Sequence, residues 1–171
     1  FAIGAWNTKE ECLYLSRDRF GVKPLYYWFN GKTIIFSSEI KAMLKHPDFR
    51  VQVNSNALNE YFTFQNQFTT QTLFEGVHML PQANTVKIDS KSTYVRHHSW
   101  WDYNFSNPDD SMDFEDAREE TLQLFKQSVT RQMISDVPVG AYLSGGMDSG
   151  SIVSIASGHV DRLSTFTCGF D

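Results

Sequence analysis

The chain has 171 residues, of which 41% are hydrophobic, and a formal net charge of −5. This composition is typical of a folded globular protein and excludes a disordered chain. The acidic balance argues against a nucleic-acid partner, and no apolar run approaches the roughly 18 residues of a membrane span. Cys12 and Cys168 are too few and too far apart for a disulfide framework, which favours a reducing, cytoplasmic location.

The first third of the chain predicts antiparallel β-structure. Its short runs of aromatic and β-branched residues, separated by turn signals, are "FAIGAW", "CLYLSRD", "PLYYWF" and "TIIFSS". The segment "SSEIKAMLKHP" then predicts a helix that Ser38 caps and Pro47 ends. A second helix is expected to begin near residues 54–56. Residues 72–89 and 92–103 return to strand-like patterns.

The composition changes at residues 104–113, "NFSNPDDSMD", where little can be buried, and this predicts a linker between two domains. Residues 113–133 then predict an amphipathic helix, because apolar residues recur at helical spacing and acidic residues occupy its first turns. Beyond it, the pattern predicts a strand at 139–143, a glycine-rich turn, a helix at 148–157 and a strand at 163–168. Strand, helix and strand within roughly 30 residues form a βαβ unit, the opening of a parallel α/β domain.

The glycine-rich turn, "YLSGGMDSGS", follows the first strand of this unit, at the place where parallel α/β sheets bind ligands. Gly145 and Gly146 allow positive φ angles and a close approach of the backbone to a ligand. The following helix directs its free N–H groups to the same place, and Ser144 and Ser149 add hydroxyl donors. Asp148 would repel phosphate unless Mg²⁺ lies between them. The turn therefore predicts a site for Mg²⁺-bound pyrophosphate; the alternative is a plain polar turn in which Asp148 caps the helix.

The turn lacks the Gly-Lys-Ser/Thr ending of a Walker A loop and the G-x-G-x-x-G spacing of a dinucleotide-binding turn. Its pattern, Ser-Gly-Gly-x-Asp-Ser, resembles the pyrophosphate loop of the ATP pyrophosphatases. This resemblance implies cleavage of ATP between its α and β phosphates and adenylation of a carboxylate or carbonyl group.

Motifs along the rest of the chain resemble one family. In order and spacing they are similar to those of glutamine-hydrolysing asparagine synthetases: "SRDRFGVKPLYYWF", "IIFSSEIKAMLKH", "FEGVHMLPQANTVKI", "HHSWWDY" and "SDVPVGAYLSGGMDSGSIVSIAS". The resemblance implies an α+β fold for residues 1–106, as the C-terminal part of an αββα N-terminal-nucleophile glutaminase domain. It implies an α/β fold for residues 107–171, as the start of a parallel-sheet ATP pyrophosphatase domain.

The resemblance also implies the reaction and its cofactors. Glutamine would supply ammonia, which an internal tunnel would carry to β-aspartyl-AMP made from aspartate and ATP with Mg²⁺. The implied partners are therefore small molecules, and a homodimer is left open. The acceptor pocket is outside this chain, so a related enzyme with another acceptor, such as a β-lactam synthetase, remains an alternative. A non-catalytic nucleotide-binding module is a further alternative.

The same resemblance implies the site residues. Those that would hold pyrophosphate and Mg²⁺ are Ser144, Gly145, Gly146, Asp148 and Ser149, with Asp148 as the metal ligand. Those that would border the nucleotide are Tyr142, Leu143, Cys168 and Gly169. As a lone cysteine on an apolar strand, Cys168 is expected to be a small buried hydrophobic residue.

The glutaminase residues of the family are not found in this sequence. The family's nucleophile is a cysteine at the mature N-terminus, ahead of "FAIGAW", and Cys12 inside a strand has no free α-amino group with which to replace it. We therefore expect no catalytic glutaminase residue here and no activity from residues 1–171 alone.

Three other features have structural interpretations. A structural ion-pair cluster, rather than an anion site, is expected of Arg17, Asp18, Arg19 and Lys23. His97 and His98 are expected to be solvated, because no other ligand lies at metal-ligand spacing. Many family members have Pro-Gly where this chain has Pro81-Gln82, so this turn must tolerate a side chain.

Overall fold

A computed structural model describes residues 1–108 and 111–169. Contacts within the chain divide it into two compact units, Phe1–Asn104 and Phe105–Asp171. In the described ranges, no helix is both long enough and apolar enough to cross a membrane.

The first unit is built from short strands and two short helices. In chain order they are β1 (Ala2–Asn7), β2 (Cys12–Arg17), β3 (Tyr26–Phe29), β4 (Ile34–Ser37), α1 (Ile40–Met43), α2 (Ser55–Phe64), β5 (Val77–Met79), β6 (Asn84–Asp89) and β7 (Val95–Ser99). The four strands predicted in the first third are all present. The strand-like patterns that follow α2 correspond to β5, β6 and β7.

The strands of this unit form two antiparallel sheets. One has the order β1-β2-β6-β7 and the other the order β4-β3-β5. Leu13 and Leu15 of β2 pair with Ile88 and Val86 of β6, and all four side chains are buried because alternate residues of a strand share a face. Together with the buried Tyr27 of β3 they belong to one hydrophobic cluster. This core therefore joins residues of both sheets.

A second cluster joins the β4-β3-β5 sheet to α1. Met43 of α1, Phe49 and Val77 of β5 are buried in it. The unit thus combines antiparallel sheets with helices, and the mixed α+β class predicted for it is confirmed. The four-layered αββα arrangement stays a prediction.

The two helices of this unit begin for different reasons. The Asn54 side chain accepts hydrogen bonds from the backbone N–H groups of Asn56 and Ala57, so α2 begins where the sequence predicts. The prediction that Ser38 caps α1 is wrong. Glu39 occupies the N-cap position and its side chain makes no capping hydrogen bond. Because α1 is a single turn, its stability comes from packing rather than from a cap.

Arg17 and Asp18 are structural, but they do not form the predicted ion-pair cluster. The Arg17 guanidinium donates at 2.6–2.8 Å to the carbonyl oxygens of Gly21, Lys23 and Leu80. The Asp18 carboxylate accepts at 3.0–3.2 Å from the backbone N–H groups of Phe20, Val22 and Lys23. Burial raises the pKa of Asp18, but these donors outweigh it and hold the pKa well below its ordinary value. Backbone carbonyls thus satisfy the Arg17 guanidinium, and backbone N–H groups provide three of the partners of the Asp18 carboxylate.

The turn at Pro81-Gln82 accommodates the side chain of Gln82. The residue of this turn with a left-handed backbone is the next one, Ala83, and not Gln82. The φ angle of Ala83 is 54°. The Ala83 N–H donates to the Asp18 carbonyl at 2.9 Å, and its carbonyl accepts from the Trp100 N–H at 2.9 Å. These two hydrogen bonds hold Ala83 in place.

The second unit contains the predicted strand, helix and strand. In chain order it has α3 (Phe114–Gln132), β8 (Gly140–Tyr142), α4 (Met147–Ala156), a 3-10 helix (Ser157–His159) and β9 (Ser164–Phe166). The Asp113 side chain caps α3 by accepting from the Asp116 N–H at 2.9 Å. β8 and β9 are shorter than predicted and pair in parallel, with Gly140 opposite Ser164. The wider parallel sheet of an ATP pyrophosphatase domain stays a prediction.

Candidate functional site

The candidate site is the loop between β8 and α4, residues 143–146. The Leu143 N–H donates to the Phe166 carbonyl at 2.9 Å, which extends the parallel pairing into the loop. The Thr167 hydroxyl donates to the Leu143 carbonyl at 2.6 Å. The loop therefore starts from a fixed position at the carboxyl end of the strand pair, where α/β proteins bind ligands.

Gly145 is the loop residue whose backbone favours glycine. Its φ is +81°, and a Cβ built on it would have no heavy atom within 4 Å. Gly146 has φ −78° and ψ 159°, so only one of the two glycines expected to use positive φ does so. The open space beside Gly145 allows a ligand to approach the backbone closely.

The hydroxyl groups of Ser144 and Ser149 are hydrogen-bonded within the loop. The Ser149 Oγ donates to the Gly146 carbonyl at 3.1 Å and accepts from the Ser144 N–H at 3.2 Å. The Ser149 hydroxyl has only one hydrogen, and it is donated to Gly146. The Ser144 hydroxyl is therefore the donor in the 3.1 Å contact between the two Oγ atoms. Both hydroxyl hydrogens thus point into the loop and would have to change partners to bind a ligand.

The N-terminus of α4 opens onto the same loop. Its N-cap is Gly146, which has no side chain to accept a hydrogen bond. The helix bonding begins with the Gly150 N–H, which donates to the Gly146 carbonyl at 3.0 Å. In the described part of the chain, the N–H groups of Met147 and Asp148 therefore have no protein acceptor. Together with the helix dipole, such donors favour an anion.

Asp148 lies exposed in the first turn of α4. The interpretation of Asp148 as the helix cap is wrong, because Gly146 holds that position. Among residues 1–108 and 111–169, no three His, Cys, Asp or Glu side chains are grouped so that they could hold a metal ion. An Mg²⁺ ion at Asp148 would therefore take its other ligands from phosphate oxygens and water.

The remaining candidate residues lie at the ends of the two paired strands. Tyr142 ends β8, is 87% exposed, and its ring centroid lies 6.4 Å from that of Phe166. Leu143 is half-buried. The prediction that Cys168 is buried is wrong: both Cys168 and Gly169 are exposed. The reason is that β9 ends at Phe166, so Cys168 lies beyond the strand rather than on it.

Thr167 is a residue of this site that sequence reasoning missed. Its hydrogen bond to Leu143 ties the end of β9 to the start of the loop. The available signal was a hydroxyl residue at the carboxyl end of the second strand of the βαβ unit.

Comparisons with known proteins match both units. A glutamine amidotransferase domain family matches residues 1–101, and an asparagine synthase family matches residues 120–171. "Asparagine synthetase [glutamine-hydrolyzing] 3" of Bacillus subtilis is 36% identical over 163 residues, which make up 95% of this chain and 26% of that protein. The chain belongs to the family of glutamine-hydrolysing asparagine synthetases.

Two further members of this family match the chain over its whole length. "Putative asparagine synthetase [glutamine-hydrolyzing] 2" of Methanocaldococcus jannaschii is 32% identical over 175 residues, 100% of this chain and 34% of that protein. "Asparagine synthetase [glutamine-hydrolyzing] 1" of Bacillus subtilis is 34% identical over 173 residues, 100% of this chain and 26% of that protein. The chain thus spans between 26% and 34% of the length of these asparagine synthetases.

Cys12 is the cysteine within the part that matches the glutamine amidotransferase domain. It lies in β2, is fully buried, and has its Sγ atom 3.5 Å from a carboxylate oxygen of Glu10. A substrate cannot reach a thiol buried inside a paired strand. Its burial supports the expectation that Cys12 is not the nucleophile of an asparagine synthetase.

Proposed function

We propose that this chain takes part in ATP-dependent amide formation on aspartate, with glutamine-derived ammonia and an aspartyl-AMP intermediate. The family matches support the reaction, because one chain joins a glutamine amidotransferase match to an asparagine synthase match. The observation that carries the proposal is the glycine-rich loop at the end of a parallel strand pair, with open space beside Gly145. Aspartate is proposed as the acceptor because the relatives are named asparagine synthetases.

Two roles are divided along the chain in this proposal. Residues 1–106 belong to the glutaminase domain, and residues 107–171 begin the ATP pyrophosphatase domain. Glutamine, aspartate and ATP are then the small molecules with which the protein acts. A cytoplasmic location and a homodimer remain predictions from the sequence.

The loop fits a pyrophosphate group in three respects. The space beside Gly145 admits phosphate oxygens, and the free N–H groups of Met147 and Asp148 offer donors. The hydroxyls of Ser144 and Ser149 would turn from each other towards the ligand. Their present hydrogen bonds keep both groups oriented at the loop until the ligand replaces them.

Asp148 is the residue we propose as the Mg²⁺ ligand. Its exposed carboxylate would hold the ion against phosphate oxygens, and the ion would offset the repulsion between the carboxylate and phosphate. When bound, Mg²⁺ neutralises charge that develops on the departing pyrophosphate. The protein's part is to position the ion through one carboxylate and the phosphate through the backbone of the loop.

The nucleotide would lie beside the same strand ends. Tyr142, Leu143, Cys168 and Gly169 border this place in our proposal. The exposure of Tyr142 and Cys168 supports it, because both leave the edge next to the loop open. ATP would then lie with its phosphates at residues 144–149.

A product assay on the full-length protein tests the proposal. With ATP, Mg²⁺, aspartate and glutamine, we expect asparagine, AMP and pyrophosphate in equal amounts, together with glutamate. Aspartate labelled with ¹⁸O in its side-chain carboxylate should pass one label to AMP, as an aspartyl-AMP intermediate requires. Formation of ADP and phosphate, or of AMP without aspartate, would contradict the proposal.

A further inference from the structure

A groove of about 760 Å³ lies between α3 and the end of α4 in the second unit. The residues that line it are Gln123, Lys126, Gln127, Thr130, Arg131, Ser154, Ile155 and His159. Ser154 lies six residues after Asp148 on the same helix, which is about 9 Å along its axis. The groove is therefore separate from the loop at the other end of α4.

The two formally charged side chains of the groove, those of Lys126 and Arg131, are both positive. Lys126 and Arg131 line one wall and His159 the other, and no acidic residue is among the lining residues. In the described parts of the chain, neither Lys126 nor Arg131 forms an ion pair. Arg131 in the last turn of α3 is also favoured by the helix dipole, but Lys126 lies too far from that end for the same explanation.

A fixed hydrogen bond connects the two walls. The Thr130 hydroxyl donates to the Lys126 carbonyl at 2.8 Å, so its oxygen accepts in the 3.0 Å contact with His159 Nε2. The His159 Nε2 atom therefore carries a hydrogen, and the imidazole ring is held against α3. This bond fixes the position of the third basic side chain relative to Lys126 and Arg131.

We propose that this groove binds an anion with two or more phosphate groups, such as inorganic pyrophosphate or a nucleoside diphosphate. An Arg fork, a Lys ammonium and the amide groups of Gln123 and Gln127 are donors that match several phosphate oxygens. The groove volume of about 760 Å³ is larger than one phosphate needs, and no carboxylate that would require a metal is among its lining residues. Binding is therefore independent of Mg²⁺ and of the function proposed above.

Calorimetric titration of the full-length protein with pyrophosphate tests this inference. A chelator removes Mg²⁺, so that Asp148 repels phosphate from the loop. We expect Lys126→Gln and Arg131→Gln each to weaken binding by about tenfold, because each removes one charge-assisted contact. The matched control is Arg118→Gln, which makes the same charge change on α3 outside the groove, and we expect less than a twofold effect.

The same titration distinguishes pyrophosphate from a nucleoside diphosphate as the ligand, and it can also give results that overturn the inference. Equal affinity for pyrophosphate and ADP means that the groove recognises phosphate alone, and tighter binding of ADP means that it also contacts the nucleoside; both support the inference. An equal loss in Arg118→Gln would show a general effect of surface charge and overturn it. No binding to the wild type, or a loss of binding only in Gly145→Val, would overturn it as well. Failure of these titrations leaves the asparagine assay unaffected.

Discussion

The hydroxyl of Ser144 donates a hydrogen bond to the hydroxyl of Ser149, with 3.1 Å between the two oxygen atoms. The Ser149 hydroxyl donates a hydrogen bond to the Gly146 carbonyl, so the loop is braced by a short chain of hydrogen bonds. Two residues that flank the glycines thus orient each other before any ligand arrives. Such a brace lowers the entropy that binding would otherwise cost.

Ser149→Ala should therefore weaken ATP binding by the full-length protein. The variant loses the brace and one hydroxyl donor to a charged phosphate, and we expect a rise of about tenfold in the KM for ATP. Ser149→Thr retains the hydroxyl and should restore most of the affinity. Ser151→Ala, at an exposed position of the same helix, is the control. A KM in Ser149→Ala equal to that of this control would contradict the role given to the brace.

Asp148→Asn should abolish synthesis while glutamine hydrolysis continues. Loss of the one carboxylate that would hold Mg²⁺ should slow ATP-dependent asparagine formation by about a hundredfold or more. The measurement is asparagine and glutamate formation in parallel assays of the full-length protein. The matched control is Asp136→Asn, which removes the charge of an exposed aspartate outside the loop. Near wild-type synthesis in Asp148→Asn would mean that the loop holds no metal through this residue.

Local patterns predicted the parts of the fold that local forces decide. The run "CLYLSRD", bounded by turn signals, predicted the strand that is β2, and Asn54 was in the range expected for the start of α2. The loop was recognisable because its glycine and hydroxyl residues lie between a strand and a helix. Each of these features depends on neighbours within a few residues.

Features that depend on distant residues were not predicted. The Arg17 guanidinium donates to the carbonyl of Leu80, 63 residues away, so sequence spacing suggested an ion pair where backbone groups provide the partners. Cys168 was expected to be buried because its segment is apolar, but the strand pairing ends at Phe166. Ser38 was predicted as the N-cap of α1, but the N-cap is its neighbour Glu39. The packing of Met43 in the hydrophobic cluster, rather than a capping side chain, determines where α1 begins. Such outcomes follow from the packing of the whole unit.

Alkylation should distinguish the two cysteines of the 171-residue chain. In the native state iodoacetamide should modify the exposed Cys168 and leave the fully buried Cys12 unmodified, and mass spectrometry of peptides measures both. Denaturation should expose Cys12 to the reagent, which serves as the control.

The same 171-residue chain should release no glutamate from glutamine, because the buried thiol of Cys12 cannot act as a nucleophile. Glutamate release that Cys12→Ser abolishes would overturn this view.

His78 should make the first unit less stable in mild acid. Burial lowers the pKa of His78 below its ordinary value of 6.5, the nearby His97 adds to this effect, and Glu75 opposes it. The neutral His78 ring stacks on the buried Tyr27 at 5.5 Å between centroids, and Tyr27 also contacts His97 at 3.3 Å. Below pH 6.5 the unfolded chain binds a proton that the folded chain resists, so the free energy of unfolding falls as pH falls.

The measurement for His78 is the midpoint of thermal unfolding of the 171-residue chain between pH 7.5 and 5.5. We expect the midpoint to fall over this range in the wild type and to fall less in His78→Gln, which cannot take up the proton. His98→Gln changes an exposed histidine and is the control. An identical pH dependence in wild type and His78→Gln would show that His78 does not contribute.

Gln65 ends α2 in a conformation that suits glycine better. Its φ and ψ are 53° and 19°, in the left-handed region, and its N–H donates to the Tyr61 carbonyl at 2.7 Å. The side chain is exposed, so its removal should leave no cavity. Gln65→Gly removes the steric strain between the Cβ atom and the backbone. We expect this gain to be larger than the loss of stability caused by the greater conformational entropy of glycine in the unfolded chain. The expected gain in the free energy of unfolding is about 0.5–1 kcal/mol.

Urea unfolding of wild type, Gln65→Gly and Gln65→Ala checks this expectation. Alanine keeps the Cβ atom and therefore the strain, so Gln65→Ala should not gain stability, whereas Gln65→Gly should shift the midpoint to higher urea at unchanged slope. The comparison between the two variants isolates the backbone, because both lack the same polar side chain. If glycine stabilised no more than alanine, the left-handed conformation at the end of α2 would carry no strain.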